Sequence, residues 1–446
     1  MRMLPPMDLE LLARLHRAHV ALLENQVSEA LAVTGFDALA VHSGTPPKRT
    51  ASDDQHWPLR VTPHFAHWLP LLEADCLLLV EPGRRTTLLR PKNTSYWEAP
   101  PEPETDHFWP AFEVLEPASP AGLAQHLAGG KRWALITDDA SAAERLKLRA
   151  VINPPTLVSA LDELRTRKTE YEVRCLSEAN RRAGLGHAAV HSAFVSGDRA
   201  ELELHLAFLG ATNQDDAETP YKNIVALDAH AATLHHISYG KKRAPAQSLL
   251  LDAAATFAGY CSDVTRTWVK GSSGEAQAFA QLIALQEAMQ QRLCAAVRVG
   301  LPYQELHDES HRQLATTLRE LGVAPRLSHD ELVGGGVTRA FYPHGLGHAL
   351  GLQVHDVGCA LVKPRDDNPW LRNTSIIAEG QVFTIEPGVY FIEALLAPLR
   401  SGPLSSGLDW KLIDALSRFG GVRIEDDLLV RAGPARNFTR EELPFR

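Results

Sequence analysis

The sequence predicts an α/β (α+β) protein built as two domains. Three observations carry that prediction. At 446 residues the chain is too long for one ordinary hydrophobic core. Short apolar runs closed by turn residues alternate with longer stretches of helical periodicity, the mixture expected of strands packed against helices. A charged segment at 161–172 then leads into a long helix and divides the chain into residues 1–165 and 166–446.

Along the first domain, residues 8–34 carry an amphipathic helical pattern, and residues 36–41 read as a buried strand. His42-Ser43-Gly44 opens a polar loop that runs to Gln55. Strand candidates at 76–80 and 86–89 flank a turn at Pro82-Gly83, and another lies at 133–137. In the second domain Val173, Leu176, Ala179 and Ala183 recur at helical spacing, and a further helix fits 201–210. Strand-like runs follow at 224–227 and 248–252, then helices at 275–299 and 303–321. A Gly334-Gly335-Gly336 loop precedes strands at 382–385 and 421–430.

Composition narrows the function. Hydrophobic content of 45% and charged content of 22% suit a soluble globular protein. A formal charge of −9 gives no basic footprint, which argues against nucleic acid as a partner. Cys76, Cys175, Cys261, Cys294 and Cys359 are scattered, odd in number and without CxxC spacing, so neither a disulfide framework nor a structural zinc site is expected. Residues 1–10 lack an apolar signal-peptide core, and no apolar run approaches the ~18 residues of a membrane span. A cytoplasmic, membrane-free protein is the expectation.

The chemistry gathers around His344-Gly345-Leu346-Gly347-His348-Ala349-Leu350-Gly351-Leu352-Gln353-Val354-His355-Asp356, which packs three histidines and three glycines into thirteen residues. Glycines between potential ligands let backbone lie close to a metal or substrate. Carboxylates come from elsewhere. Asp252 ends an apolar run, and Asp263 follows eleven residues later, past a turn at Ala258-Gly259 that could bring the two side by side. Each alone could equally cap a turn. Glu386 closes the apolar run 382–385, and a carboxylate there is costly to bury unpaired. Glu425 repeats the arrangement, with a salt bridge to Arg423 as its bland alternative; Arg423 could equally serve a site. Two Asp, one His and two Glu suit Mn²⁺, Co²⁺ or Zn²⁺ in a two-metal centre, where a bridging hydroxide would be the nucleophile. These residues predict a metal hydrolase.

At the same residues the sequence resembles the M24 metallopeptidases, the "pita-bread" family. The thirteen-residue stretch, Leu249-Leu250-Leu251-Asp252, Ser262-Asp263-Val264-Thr265-Arg266-Thr267, Thr384-Ile385-Glu386-Pro387-Gly388 and Arg423-Ile424-Glu425-Asp426 all match, in the family's order. Further matches point to the branch of bacterial Xaa-Pro dipeptidases and organophosphorus acid anhydrolases. They are His42-Ser43-Gly44, Asp53-Asp54-Gln55, Pro63-His64-Phe65-Ala66-His67-Trp68, Tyr390-Phe391-Ile392-Glu393 and the region 396–421.

The resemblance implies a creatinase/prolidase-like N-terminal domain, a pita-bread catalytic domain, and metal-dependent hydrolysis of dipeptides ending in proline. It implies two divalent ions per subunit, manganese first and cobalt or zinc as alternatives. Asp252 would bind one metal, Asp263 and Glu425 would bridge the pair, and His348 and Glu386 would complete the second. Glu386 would also shuttle the proton, His355 would steady the oxyanion, and His344 would stand behind the ligands. His235 and Arg372 match positions that bind the substrate carboxylate, and Tyr221 matches a pocket-lining tyrosine. Asp54 matches a residue lent by the partner of a homodimer. Two departures stand out: Ala254 replaces a common glycine, and His236 replaces a common tyrosine. The rival readings are an organophosphorus acid anhydrolase on the same site and a metal-free binding scaffold.

Overall fold

The computed structural model describes residues 8–52, 54–93, 95–97, 99–127, 129–358 and 362–443. Asp53, Cys359 and the first seven residues of the N-terminal stretch lie outside them. The chain forms two compact units, Met1–Arg174 and Cys175–Arg446.

The first unit is organised by a six-stranded sheet in the order β4-β3-β2-β1-β5-β6. Its strands are β1 (Ala38–His42), β2 (Leu77–Val80), β3 (Thr87–Leu89), β4 (Glu113–Leu115), β5 (Trp133–Ile136) and β6 (Val151–Ile152). β1 pairs antiparallel with β2 and parallel with β5, and all five of its residues are buried. Alternation sends Leu39 and Val41 to one apolar cluster and Ala38 and Ala40 to another, so both faces of the sheet are covered. Helix α1 (Leu9–Thr34) supplies Val20, Leu23, Val27 and Leu31 to the first cluster. The Asp8 side chain caps its N-terminus, accepting from the Leu11 amide, and Gly35 at φ +75° ends it. Short helices α2 (Pro63–Ala66) and α3 (Ala140–Arg145) follow, then α4 (Pro155–Thr166). The charged segment 161–172 is therefore helical at both ends: α4 stops at Thr166, and α5 (Glu170–Val195) starts four residues later.

In the second unit α6 (Glu201–Thr212) leads to a three-stranded sheet of β7 (Ile224–Leu227), β8 (Ser248–Asp252) and β11 (Thr265–Val269), with β8 central. Between β8 and β11 a hairpin forms from β9 (Thr256–Phe257) and β10 (Tyr260–Cys261). Its two turn residues, Ala258 and Gly259, have φ of +50° and +82°, the positive values that a tight two-residue hairpin demands. Helices α7 (Gly274–Ala296), α8 (Tyr303–Glu320), α9 (His329–Gly334) and α10 (Val337–Phe341) follow, so the triple-glycine run closes one short helix and opens the next. The remaining strands are β12 (Val382–Ile385), β13 (Gly388–Tyr390), β14 (Gly421–Arg423), β15 (Asp426–Leu429) and β16 (Arg436–Asn437). Helices α11 (Glu393–Arg400) and α12 (Trp410–Ser417) intervene, and α13 (Phe438–Glu442) ends the described chain.

The run 421–430, read as one strand, is two. β14 pairs with β13, the chain breaks step at Ile424-Glu425, and β15 pairs with β12 instead. That change of partner turns Glu425 out of both ladders and toward β11.

Candidate metal centre

Backbone pairing brings the acidic residues together. Asp252 is the last residue of β8 and stands opposite Thr265 of β11. Asp263 precedes that strand by two residues; its amide donates to the Asp427 carboxylate at 2.9 Å, which pins the turn. Thr265 also forms an isolated antiparallel bridge with Glu425. The Glu425 amide donates to the Thr265 carbonyl at 3.1 Å, and the Thr265 hydroxyl donates to Glu425 Oε2 at 2.5 Å. On the opposite side the histidine stretch runs along β12. The Thr384 amide donates to the His348 carbonyl at 3.0 Å, and the Glu386 amide to the Leu346 carbonyl at 2.9 Å.

His348 Nε2 then lies 3.4 Å from Asp263 Oδ2 and 3.4 Å from Glu386 Oε1. Bonds of about 2.1 Å to one ion at tetrahedral angles produce that separation between ligand atoms. Ligand atoms of Asp263, His348 and Glu425 all fall within 4.8 Å of one another. Electrostatics point the same way. Burial and the neighbouring carboxylates push the Asp263 carboxyl up and the Glu425 carboxyl well above its ordinary value. Burial, with the charges of Asp263 and Asp252 adding to it, raises Glu386 to about 7. Against the downward pull of burial, the Asp263 hydrogen bond and the charges of Glu386 and Asp263 raise His348 to about 9. Carboxylates this crowded cannot all ionise unaided, and divalent cations resolve the conflict. The residues fit a metal centre.

Around this core runs a chain of hydrogen bonds. Arg423, 4% exposed, donates from Nη2 to Asp252 Oδ2 at 2.6 Å, from Nη1 to the Tyr390 hydroxyl at 2.7 Å, and from Nε to the Thr265 hydroxyl at 3.3 Å. The local Arg423–Glu425 pair suggested by spacing gives way to this distant one. Tyr390 Oη, accepting from Arg423, lies 2.9 Å from His344 Nε2 and donates to it. His344 Nδ1 then donates to the Gly345 carbonyl at 2.9 Å and stands 3.7 Å from Glu386 Oε2. Burial and then the Arg423 charge hold His344 down to about 3, so its imidazole stays neutral.

A cleft of about 840 Å³ opens over these groups. Asp252, Asp263, His348, Glu386 and Glu425 line it, together with Tyr221, His235, His344, His355, Arg372 and Arg423. His355 meets the His348 ring edge-on, with centroids 4.5 Å apart. His235 and Arg372 are exposed, and Arg372 shares its segment with Trp370, which is 72% exposed. Tyr221 does more than line the wall: its hydroxyl hydrogen-bonds Asp252 Oδ1 and lies 2.5 Å from Asp263 Oδ1. Asp54 belongs to the first unit, exposed on the loop between β1 and α2. Ala254 is buried on ordinary backbone, so its methyl group is accommodated. Sequence reasoning did not single out Thr265, Thr384 or Asp427, and took Tyr390 only as part of a branch motif.

Residues 174–432 match metallopeptidase family M24. The chain belongs to that family. Residues 14–162 match the Xaa-Pro dipeptidase N-terminal domain. Among curated M24 relatives, the Xaa-Pro dipeptidase of Marinobacter nauticus is 40% identical over 434 residues, covering 96% of this chain and 98% of the relative. That of Aeromonas hydrophila is 38% identical over 441 residues, with coverage of 96% and 98%. Proline aminopeptidase P II from Yersinia pestis has the same fold, with a TM-score of 0.70 at 22% identity over 95% of this chain and 96% of its own. Zinc-substituted aminopeptidase P of E. coli in complex with product superposes with a TM-score of 0.69 at 21% identity, covering 94% and 95%. The M24 chain thus pairs an Xaa-Pro dipeptidase-type N-terminal domain with a pita-bread catalytic unit for divalent metal. No helix among the described residues is long and apolar enough to cross a membrane.

Proposed function

We propose that this M24 chain is a metal-dependent dipeptidase that hydrolyses dipeptides ending in proline. The observation that carries the reading is the convergence of Asp252, Asp263, His348, Glu386 and Glu425 in one cleft that also holds His235 and Arg372. Two divalent cations, with Mn²⁺ the first choice, would supply an activated water at neutral pH and polarise the scissile carbonyl.

The chain's own residues do the rest. Asp252 would hold one cation, Asp263 and Glu425 would serve both, and His348 with Glu386 would complete the second set. Arg423 keeps Asp252 oriented through its 2.6 Å bond, and the Tyr390–His344 pair braces Arg423 in turn. Glu386 Oε1 faces His348, which leaves Oε2 to carry a proton to the leaving nitrogen. His355 donates to the developing oxyanion. Arg372, with His235, grips the C-terminal carboxylate, for which a guanidinium fork is suited. Asp54, lent by the partner subunit of a homodimer, takes the free amino group. Gripping both charged ends disfavours longer peptides, which would set an amide against one of those charges. A cytoplasmic setting and a domain boundary near residue 165 belong to the same reading.

Turnover of Xaa-Pro dipeptides, Xaa-Pro tripeptides and a fluorophosphate on one manganese-loaded preparation tests it. Dipeptides are expected to lead by at least tenfold. Preference for the fluorophosphate would move the reading to an organophosphorus acid anhydrolase. Hydrolysis that survives chelation and Asp263→Ala would overturn the metal mechanism.

A further inference from the structure

The loop that brings His235 to the cleft is tied down by one buried carboxylate. Glu201, at the start of α6 and 2% exposed, has both oxygens engaged across that loop. Oε1 accepts from the Leu227 amide at 3.1 Å and from His230 Nδ1 at 2.6 Å. Oε2 accepts from His236 Nε2 at 3.0 Å and from the Gly240 amide at 2.7 Å. Each oxygen thus has one backbone donor and one imidazole. The two imidazoles stack at 4.5 Å with 27° between their planes, so both turn a nitrogen toward the same carboxylate. Backbone bonds that orient a carboxylate while leaving its outer lone pairs to imidazoles resemble the support given to metal ligands.

We propose that Glu201, His230 and His236 form a separate transition-metal site, beside the substrate cleft and distinct from the catalytic pair, selective for a borderline dication such as Zn²⁺. Two histidines and one glutamate are a complete protein ligand set for zinc, with water as fourth ligand. Ligand atoms of the three residues already lie within 4.8 Å of one another. The His230 side chain is 56% exposed, which supplies both an entry path and room for the water. Stacked so closely, two imidazoliums would repel, whereas two neutral rings can face one cation. On binding, the proton on each facing nitrogen moves to the far ring nitrogen or to solvent, so affinity falls as the solution is acidified. The inference does not depend on the dipeptidase reading. Its structural consequence is that zinc cross-links residues 230 and 236 on either side of Leu234 and His235, which line the cleft.

The test begins with manganese-loaded protein, titrated with Zn²⁺ in equilibrium dialysis, wild type against His230→Ala. The exposed position of His230 keeps that variant folded, and exchange at the catalytic pair is common to both proteins. Wild type is expected to take up one more zinc per chain, with the extra site weakened by more than about 100-fold in His230→Ala, beyond the cost of losing an outer-shell partner. A second readout uses Lys241, Lys242 and Arg243, all exposed just after the loop. Zinc is expected to slow tryptic cleavage there in wild type and to leave the rate in His230→Ala and Glu201→Gln unchanged. Equal zinc stoichiometry in wild type and His230→Ala overturns the proposal, as does zinc protection that persists in either variant.

Discussion

Replacing Gly347 with alanine places a methyl group 2.1 Å from the Thr384 carbonyl oxygen, 2.5 Å from the Tyr303 hydroxyl and 2.7 Å from Thr384 Oγ1. Carbon–oxygen contacts settle at about 3.3–3.6 Å, so the two backbones must part by about 1 Å. The strand that has to move is the one that positions His348. Its Thr384 amide donates to the His348 carbonyl at 3.0 Å, and the His348 amide donates back to Thr384 Oγ1 at 3.2 Å. Overpacking of this kind costs about 1–3 kcal/mol of stability. A displacement of ~1 Å at a reacting centre costs roughly 100-fold in rate. Gly345→Ala provides the contrast. Its methyl group meets Leu371 Cα at 2.9 Å and the Trp370 carbonyl at 3.0 Å, on the segment that carries Arg372. Steady-state kinetics with an Xaa-Pro dipeptide, alongside metal content after dialysis, separates the two. Gly347→Ala is expected to lose kcat and metal together, whereas Gly345→Ala mainly raises KM. Wild-type kcat and full metal content in Gly347→Ala would refute the claim that this glycine keeps the backbone slim beside His348.

Further outcomes follow from the same groups. In metal-free protein, Asp263, Glu386 and Glu425 have carboxyl pKa values raised above their unfolded values, Glu386 to about 7. Groups raised in this way contribute stability at low pH and lose it as pH rises through the folded value. In chelator the melting temperature of wild type is thus expected to fall relative to that of Glu386→Gln from roughly pH 4.5 to 7; a difference that stays constant across that range counts against the burial argument. Tyr390→Phe removes the hydroxyl between Arg423 and His344 and leaves a buried donor unpaired, so calorimetry should register a loss of about 1–3 kcal/mol. Asp54→Ala should raise KM for dipeptides and spare kcat, melting temperature and sedimentation behaviour; an unchanged KM removes Asp54 from the proposed substrate site.

Much of the centre was legible because charge placed against apolar sequence is conspicuous. Asp252 and Glu386 each end a run of buried residues, and His348 sits among glycines. What surrounds them was not, because it depends on pairing between distant strands. Arg423 and Glu425, two apart in sequence, suggest each other as partners, but the break between β14 and β15 sends Arg423 to Asp252, 171 residues away. Thr265, Thr384 and Tyr390 contribute hydroxyl groups from ordinary strand positions, and nothing local shows which hydroxyl will meet a carboxylate. Tyr221 read as a wall residue because its reach across two carboxylates is a tertiary fact. Helices α11 and α12 escaped notice for a plainer reason. Pro398 lies inside the first, and both are only eight residues long, too short for periodicity to declare itself. His236, noted only as a departure, acquires a partner in Glu201.

The bridge between Thr265 and Glu425 joins strands 160 residues apart in sequence. Contacts of that span form late, since the entropy of closing so large a loop is lost before the contact returns anything. The proposed ligands on the two sides of the bridge are therefore expected to meet only when the second unit is nearly complete. A cation arriving earlier finds Asp252 and Asp263 without Glu425, or His348 and Glu386 without either aspartate. Tight metal uptake during refolding is thus a clock for the final step, and a chain ending before β14 should never start it.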